Sequence, residues 1–256
     1  AVYGFAENDV WAAGYASEWI RWDSTGRGVY ENRSLIFHYD GVQWSEVDLP
    51  EGGNMLQSLW GSAPDDIWAG GMNTLLHYTD GMWRNVPIFI PSQGVQLSSI
   101  SGLSTDEVFF TAYRNDVVDP IDTTFHYLYK YDGNECRIID STYVTVNHYD
   151  RKFGSNLRVI DGTLYSGQNG IFMMENNTWE KILDDHLLFF INGSAWDNIF
   201  CVGGYRTVYH YNGTDWQQLT ISDAFSDIML YGVYTDGKEA FITSHDGFKT
   251  YIFHGK

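Results

Sequence analysis

Cysteine, cationic side chains and long apolar runs are all scarce in this chain, and each scarcity excludes something. The two cysteines, Cys136 and Cys201, are too few for a disulfide framework, and no Cys/His spacing matches a metal site. Lysine and arginine number 15 against 33 aspartates and glutamates, a net charge of −18. No basic stripe exists to displace the counterions of a phosphate backbone or to meet an anionic bilayer, so neither nucleic acid nor membrane insertion is expected. No run of about 18 apolar residues is present to cross a bilayer as a helix. No segment keeps a 3.6-residue apolar period over three turns. Familiar catalytic and metal motifs are missing too: no Gly-x-Ser-x-Gly elbow, no His-Glu-x-x-His, no phosphate loop and no Asp-x-Asp-x-Asp-Gly calcium cage.

What the chain does have is a repeat. Trp60-Gly-Ser-Ala-Pro-Asp-Asp-Ile-Trp-Ala-Gly-Gly71 is followed by Leu75-Leu-His-Tyr-Thr-Asp-Gly-Met-Trp83. The first half returns at Gly4 to Trp11, Gly102 to Phe109, Gly193 to Phe200 and, with an insertion, Gly232 to Phe241. The second half returns from His38 to Trp44, Lys130 to Cys136 and His210 to Trp216, with a weaker copy from Met173 to Trp179. The spacing from Trp68 to Phe109 and from Phe200 to Phe241 is 41 residues. Short aromatic and β-branched runs punctuated by Asp-Asp, Asn-Asp and Asp-Gly are strand-and-turn grammar. A period near 41 with four strands per unit is propeller spacing.

The expected fold is therefore all-β: one six-bladed β-propeller of four-stranded antiparallel blades filling the whole chain as a single domain. The blades fall at about 1–50, 51–91, 92–141, 142–185, 186–225 and 226–256. The fourth is the most degenerate, and the last stops after three strands. A segment preceding Ala1 is the expected source of the missing strand. The aromatic content, 17%, is largely repeat-bound, and Trp11, Trp44, Trp68, Trp83 and Trp216 are expected to stack between blades. Cys136 takes a tryptophan slot, and both cysteines read as buried apolar residues.

These same motifs, Trp-Gly-Ser-x-x-Asp-Asp-Ile-Trp and His-Tyr-Asp-Gly-x-x-Trp, resemble the repeats of secreted bacterial β-propeller proteins of the kelch-like kind. The resemblance covers the whole chain. It implies the fold and an extracellular or cell-envelope location, with a lipid anchor as one means of attachment. It carries over no catalytic residue.

Three insertions break the period: 15–34, 114–124 and 142–156. In a meander blade all three connections leave by the same face, opposite the tight motif turns. Loops on a rigid scaffold are where function concentrates. That face holds the candidate ligand-binding residues Trp19, Arg21, Trp22, Arg114, Asp116, His148, Tyr149, Arg151, Tyr205, Arg206 and His245. Trp19 and Trp22 lie outside the repeat frame, so blade packing does not account for them; they are suited to stack on a sugar or anchor a protein, or to pin the insertion to its blade. Tyr15, Arg114, Tyr205, Arg206 and His245 end a second strand and are expected near the central channel. His38, His77 and His210 repeat at one strand position a blade apart, so they cannot converge on a metal; hydrogen bonding within the repeat is expected instead, and Asp65-Asp66 reads as turn chemistry.

No cofactor or metal is implied. The function expected is non-catalytic recognition of a glycan or protein partner. One alternative is a carbohydrate-active enzyme using two of Asp116, Asp119, Asp150 and Asp185, although the Ser-x-Asp-x-Gly-x-Thr-Trp box of sialidase propellers is missing. Another is a self-assembling structural subunit. The sequons at Asn32, Asn176, Asn192 and Asn212 fit chance in turn-rich sequence.

Overall fold

The structure is a computed structural model that describes residues 1–52, 54–89, 94–118, 121–145, 148–149, 152–154, 156–221 and 228–256; of these, the side chains of 116–118, 121–122 and 148–149 are not described. Six antiparallel sheets follow one another along the chain, each a meander in sequence order. The first is β1 (Val2–Ala6), β2 (Asp9–Trp22), β3 (Gly28–Tyr39) and β4 (Trp44–Glu46). The second is β5 (Ser58–Ala63), β6 (Asp66–Gly71), β7 (Thr74–Thr79) and β8 (Met82–Asn85). The third is β9 (Gln96–Ser104), β10 (Glu107–Val118), β11 (Ile121–Tyr131) and β12 (Cys136–Thr145), with a short fifth strand β13 (His148–Tyr149). The fourth is β14 (Asn156–Ile160), β15 (Thr163–Gly167), β16 (Ile171–Glu175) and β17 (Thr178–Leu183). The fifth is β18 (Leu188–Ala195), β19 (Asn198–Gly203), β20 (Val208–Tyr211) and β21 (Trp216–Leu219). The sixth has three strands, as the sequence indicates: β22 (Met229–Thr235), β23 (Ala240–His245) and β24 (Thr250–Gly255).

The chain packs as two compact units, Ala1–Ser141 and Thr142–Lys256. In the first, Trp11, Ile36, Leu59, Ile67, Leu76 and Trp83 form a core between the first two sheets. Trp60, Trp68, Leu97, Ile100, Phe110 and Tyr129 form another between the second and third. In the second unit, Ile160, Tyr165, Ile191, Ile199 and Cys201 join the fourth sheet to the fifth. Val202, Val208, Leu230 and Ile242 join the fifth to the sixth. Burial pushes the Cys136 thiol up to about 12 and raises that of Cys201 well above its ordinary value.

The repeat has one structural meaning in five of the six sheets. The aromatic of the second strand lies directly opposite a fixed position of the third: Trp11 opposite His38, Trp68 opposite His77, Phe109 opposite Lys130, Phe200 opposite His210 and Phe241 opposite His254. Four of these pairs stack as ring on ring, with Trp68 and His77 3.9 Å apart. Lys130 sits over Phe109 instead. The acidic or amide residue two positions before the aromatic then binds the stacked group. Asp9 meets His38 at 2.8 Å, Asp66 meets His77 at 2.5 Å, Glu107 meets Lys130 at 2.5 Å and Asn198 meets His210 at 2.8 Å. Glu239 lies 3.3 Å from His254. Asp66 also accepts the Ser62 hydroxyl, so it is part of this frame rather than the free turn residue expected. The fourth sheet sets Met173 opposite Tyr165 and drops the polar group, which is why its copy is faint in the sequence.

The repeat glycine has a steric cause. A Cβ on Gly102 would lie 2.5 Å from the Trp60 ring, and one on Gly61 would lie 2.5 Å from that of Phe5. In both cases the ring belongs to the preceding sheet.

The repeated tryptophans are not equivalent. Trp83 packs edge-on to Trp11 of the first sheet and is 5% exposed, whereas Trp44, in the same slot of the first sheet, is 49% exposed. Strand alternation puts Trp44 on the side turned away from the second sheet; the expectation that all five stack between blades fails there. Trp83→Ala should therefore lower stability by about 3–5 kcal/mol and Trp44→Ala by about half that or less, measured by urea unfolding of the two variants side by side.

Candidate functional site

The first two insertions are not loops. β2 and β3 stay paired from Val10–Tyr39 out to Trp22–Gly28, and β10 and β11 from Val108–Tyr131 out to Val118–Ile121. Each second and third strand simply continues as a hairpin beyond its blade. The sequence conceals this because its β-branched and aromatic residues there are mixed with charges. Asp23 closes the first hairpin: its carboxylate accepts the backbone N–H groups of Thr25 and Arg27 and the Thr25 hydroxyl. Those bonds hold its pKa below the ordinary value.

The first hairpin gathers three of the expected residues. In a regular strand Trp19 and Trp22 would face opposite ways. A bulge between Trp19 and Arg21 leaves Trp19 opposite Tyr30 and Trp22 opposite Gly28, positions that share a face on the partner strand. The rings consequently meet edge to face at 6.0 Å. Gly28 has no side chain, and the Tyr30 ring leans over it, 2.9 Å from where a Cβ would stand. Trp19, Trp22 and Tyr30 are 50%, 63% and 55% exposed. Arg21 is exposed too, but it lies opposite Val29 and so on the other face of the hairpin. Tyr30, in the same insertion, is not among the candidates the sequence singles out; its spacing from Trp19 becomes meaningful only once the hairpin register is known.

Of the other expected residues, Arg114 and Asp116 belong to the second hairpin and the rest fall in the second unit. Arg114 is half-buried on the second hairpin, its guanidinium 4.8 Å above the Phe125 ring opposite it. Asp116 is opposite Thr123 in that hairpin, and its side chain lies outside the description. His148 and Tyr149 pair with Thr145 and Val144, again without described side chains, and Arg151 lies outside the described residues, as do Asp119 and Asp150. Asp185 accepts the Leu187 N–H in a turn.

In the second unit, Tyr205 and Arg206 form a tight turn with φ of 49° and 61°, a left-handed pair that costs of order 1 kcal/mol or more per residue. They wall a hollow of about 290 Å³ with Gln218 to Ile221. A second cleft of about 520 Å³ there is lined by Tyr165, Tyr211, Trp196 and Trp216 between the fourth and fifth sheets. The sequence reading did not single out Trp196, which is exposed at the variable position of the fifth repeat where the second has Pro64. His245 is structural: its Nδ1 accepts the Gly247 N–H at 3.0 Å. Beside it Asp246 accepts the Tyr251 hydroxyl and the N–H groups of Phe248 and Lys249. Among the described residues no group of histidine, cysteine or carboxylate side chains is arranged to hold a metal, and no helix is long and apolar enough to cross a membrane.

The first unit has an open cleft of about 700 Å³ at the base of the first hairpin. Glu18, Glu31, Glu46, Asp48 and Glu51 line it, with Arg33 as the only cation. Arg33 is already paired with Glu46.

No family model and no curated protein matches this chain. Among solved structures, a luciferin-regenerating enzyme aligns over 99% of this chain and 94% of its own, at a TM-score of 0.52 and 10% identity. The WD40 β-propeller domain of Doa1 aligns over 100% and 91%, at 0.47 and 15%. YCF48 bound to a D1 peptide aligns over 96% and 88%, at 0.46 and 14%. Identities this low speak to fold alone: the chain is an all-β, six-bladed β-propeller with an incomplete last blade.

The turn at His245 gives a measurable pH effect. Hydrogen bonding from the Tyr251 hydroxyl, then from Phe248 and Lys249, holds the Asp246 carboxyl at about 2 against an ordinary 3.8. Between those values the folded chain binds fewer protons there than the unfolded chain, so stability rises with pH. The contribution is complete above 3.8 and lost as pH falls to about 2. Asp246→Asn keeps the acceptor but cannot titrate. Its urea midpoint should fall less steeply than the parent's over that window.

Proposed function

We propose that the chain is a protein-recognition module whose principal contact surface is the projecting hairpin of the first sheet. The observation that carries this is the exposed Trp19–Trp22–Tyr30 cluster, built by a bulge and a glycine on a paired, rigid support. Tryptophan, tyrosine and arginine are the residues in which interface energy concentrates, and the cluster is built of the first two. Tyr15 and Ile20 are also exposed on the hairpin. A paired hairpin loses little conformational entropy on binding, unlike a loop. The two indole planes stand at 66°, forming a notch for an inserted side chain rather than a flat floor for a sugar ring.

A displayed random-peptide library and a glycan array, probed in parallel, test this. Selected peptides should bind the parent and lose about 30-fold or more in Trp19→Ala/Trp22→Ala, the effect of removing a hot spot worth 2 kcal/mol. Both side chains are exposed, so the variant should keep the parent's circular dichroism. Peptides that bind parent and variant equally, or tryptophan-dependent binding confined to the glycan array, would overturn the proposal.

A further inference from the structure

We infer that the cleft at the base of the first hairpin is a docking groove for an extended, lysine- or arginine-rich peptide segment, which adds as a strand to the open edge of β3. This names the chemistry of a partner segment and rests on the protein-recognition reading above.

The edge is open for a reason visible in the sequence. β4 ends at Glu46, and the Val47 N–H makes one more bond, to the Ile36 carbonyl at 2.9 Å. Pro50 follows, a residue that cannot extend a ladder. β3, however, continues outward to Gly28. Because Ile36 turns its backbone toward β4, the two-residue period turns those of Ser34, Asn32 and Tyr30 toward the same side. β3 carries no bulge there, the extra residue being on β2. Among the described residues nothing pairs with those backbone groups. A row of unmet N–H and C=O groups is a template for an added strand.

The side chains around that edge select its occupant. Glu18 and Glu31 stand directly opposite each other across β2 and β3, a like-charge pairing that disfavours the hairpin. Asp48 and Glu51 line the cleft with them. Among the described residues none of these four has an ion-pair partner. Ser34, whose backbone belongs to this edge, is 7% exposed and lies in the wall of the same cleft. Charges on an open edge ordinarily deter pairing between copies. With carboxylates lining this one, a second copy is repelled and a cationic strand attracted.

The probe is a fluorescein-labelled octapeptide alternating lysine with valine or threonine, followed by anisotropy against the full chain. Its glutamate counterpart and two versions N-methylated on alternate amides, one for each strand edge, serve as comparators. We expect the lysine peptide to bind, to weaken as salt rises, and to lose about tenfold or more with Glu18→Gln/Glu31→Gln. One N-methylation register should abolish binding and the other should not. The same double variant should melt at a higher temperature than the parent, since it removes the opposed charges. Binding that needs lysine but survives both the variant and both N-methylations would be general attraction to an acidic protein and would overturn the inference, as would no binding at all. If Glu18→Gln/Glu31→Gln leaves the lysine peptide intact while Trp19→Ala/Trp22→Ala abolishes the library peptides, the groove fails and the hairpin reading stands. The reverse pattern leaves the groove standing and sinks the hairpin reading.

Discussion

The stack of a strand-two aromatic on a strand-three histidine or lysine, tied back by an acid or amide, is the interaction on which five of the six blades depend. Trp68, His77, Asp66 and Ser62 show it most fully. It works as a register lock. Sliding β7 by one residue against β6 would turn His77 to the wrong face and Leu76, fully buried in the core, toward the opposite side. The hydrogen bond gives the lock direction, because the polar partner sits two residues upstream on the aromatic's own strand. Where the carboxylate becomes an amide, as at Asn198, burial pushes the His210 imidazole below its ordinary pKa. The stack survives that change, so its geometry does not need a charged histidine.

A lock at one end of a strand pair frees the other end. In the second sheet the β6–β7 pairing stops at Gly71–Thr74, just past the lock. In the first sheet the same pairing runs on to Trp22–Gly28. The added length needs no new core, only inter-strand hydrogen bonds and a turn held by Asp23. Such an extension therefore tolerates side chains chosen for contact rather than packing, and that is where the exposed tryptophans and the opposed glutamates are found.

The sequence displayed the fold because the lock repeats with its register. His38, His77 and His210 could be dismissed as ligands on spacing alone, and their partners at Asp9, Asp66 and Asn198 were already present in the frame. His254 was legible by the same rule, opposite Phe241, yet the insertion in that copy hid it. The site was less legible. Trp19 and Trp22 stood out only by failing to fit the repeat. Their shared face depends on a bulge, which leaves no mark in composition, and Tyr30 depends on the hairpin register. The cleft was invisible because Glu18, Glu31, Asp48 and Glu51 look like ordinary solvated charges until a missing strand leaves backbone beside them unpaired.

The acidity of the chain is unevenly committed. Asp40, Asp132, Asp236 and Asp246 each accept backbone N–H groups in a tight turn, and each is held below its ordinary pKa by doing so. Asp9, Asp66, Glu107 and Glu239 belong to the register lock. These carboxylates serve the fold, and their charge is answered by donors close at hand. The four unpaired carboxylates around the β3 edge answer to no donor of their own, and two of them oppose each other across the strands. A surface under selection for solubility alone would disperse such charges; gathering them beside unmet backbone groups raises the local field where a cationic strand would enter.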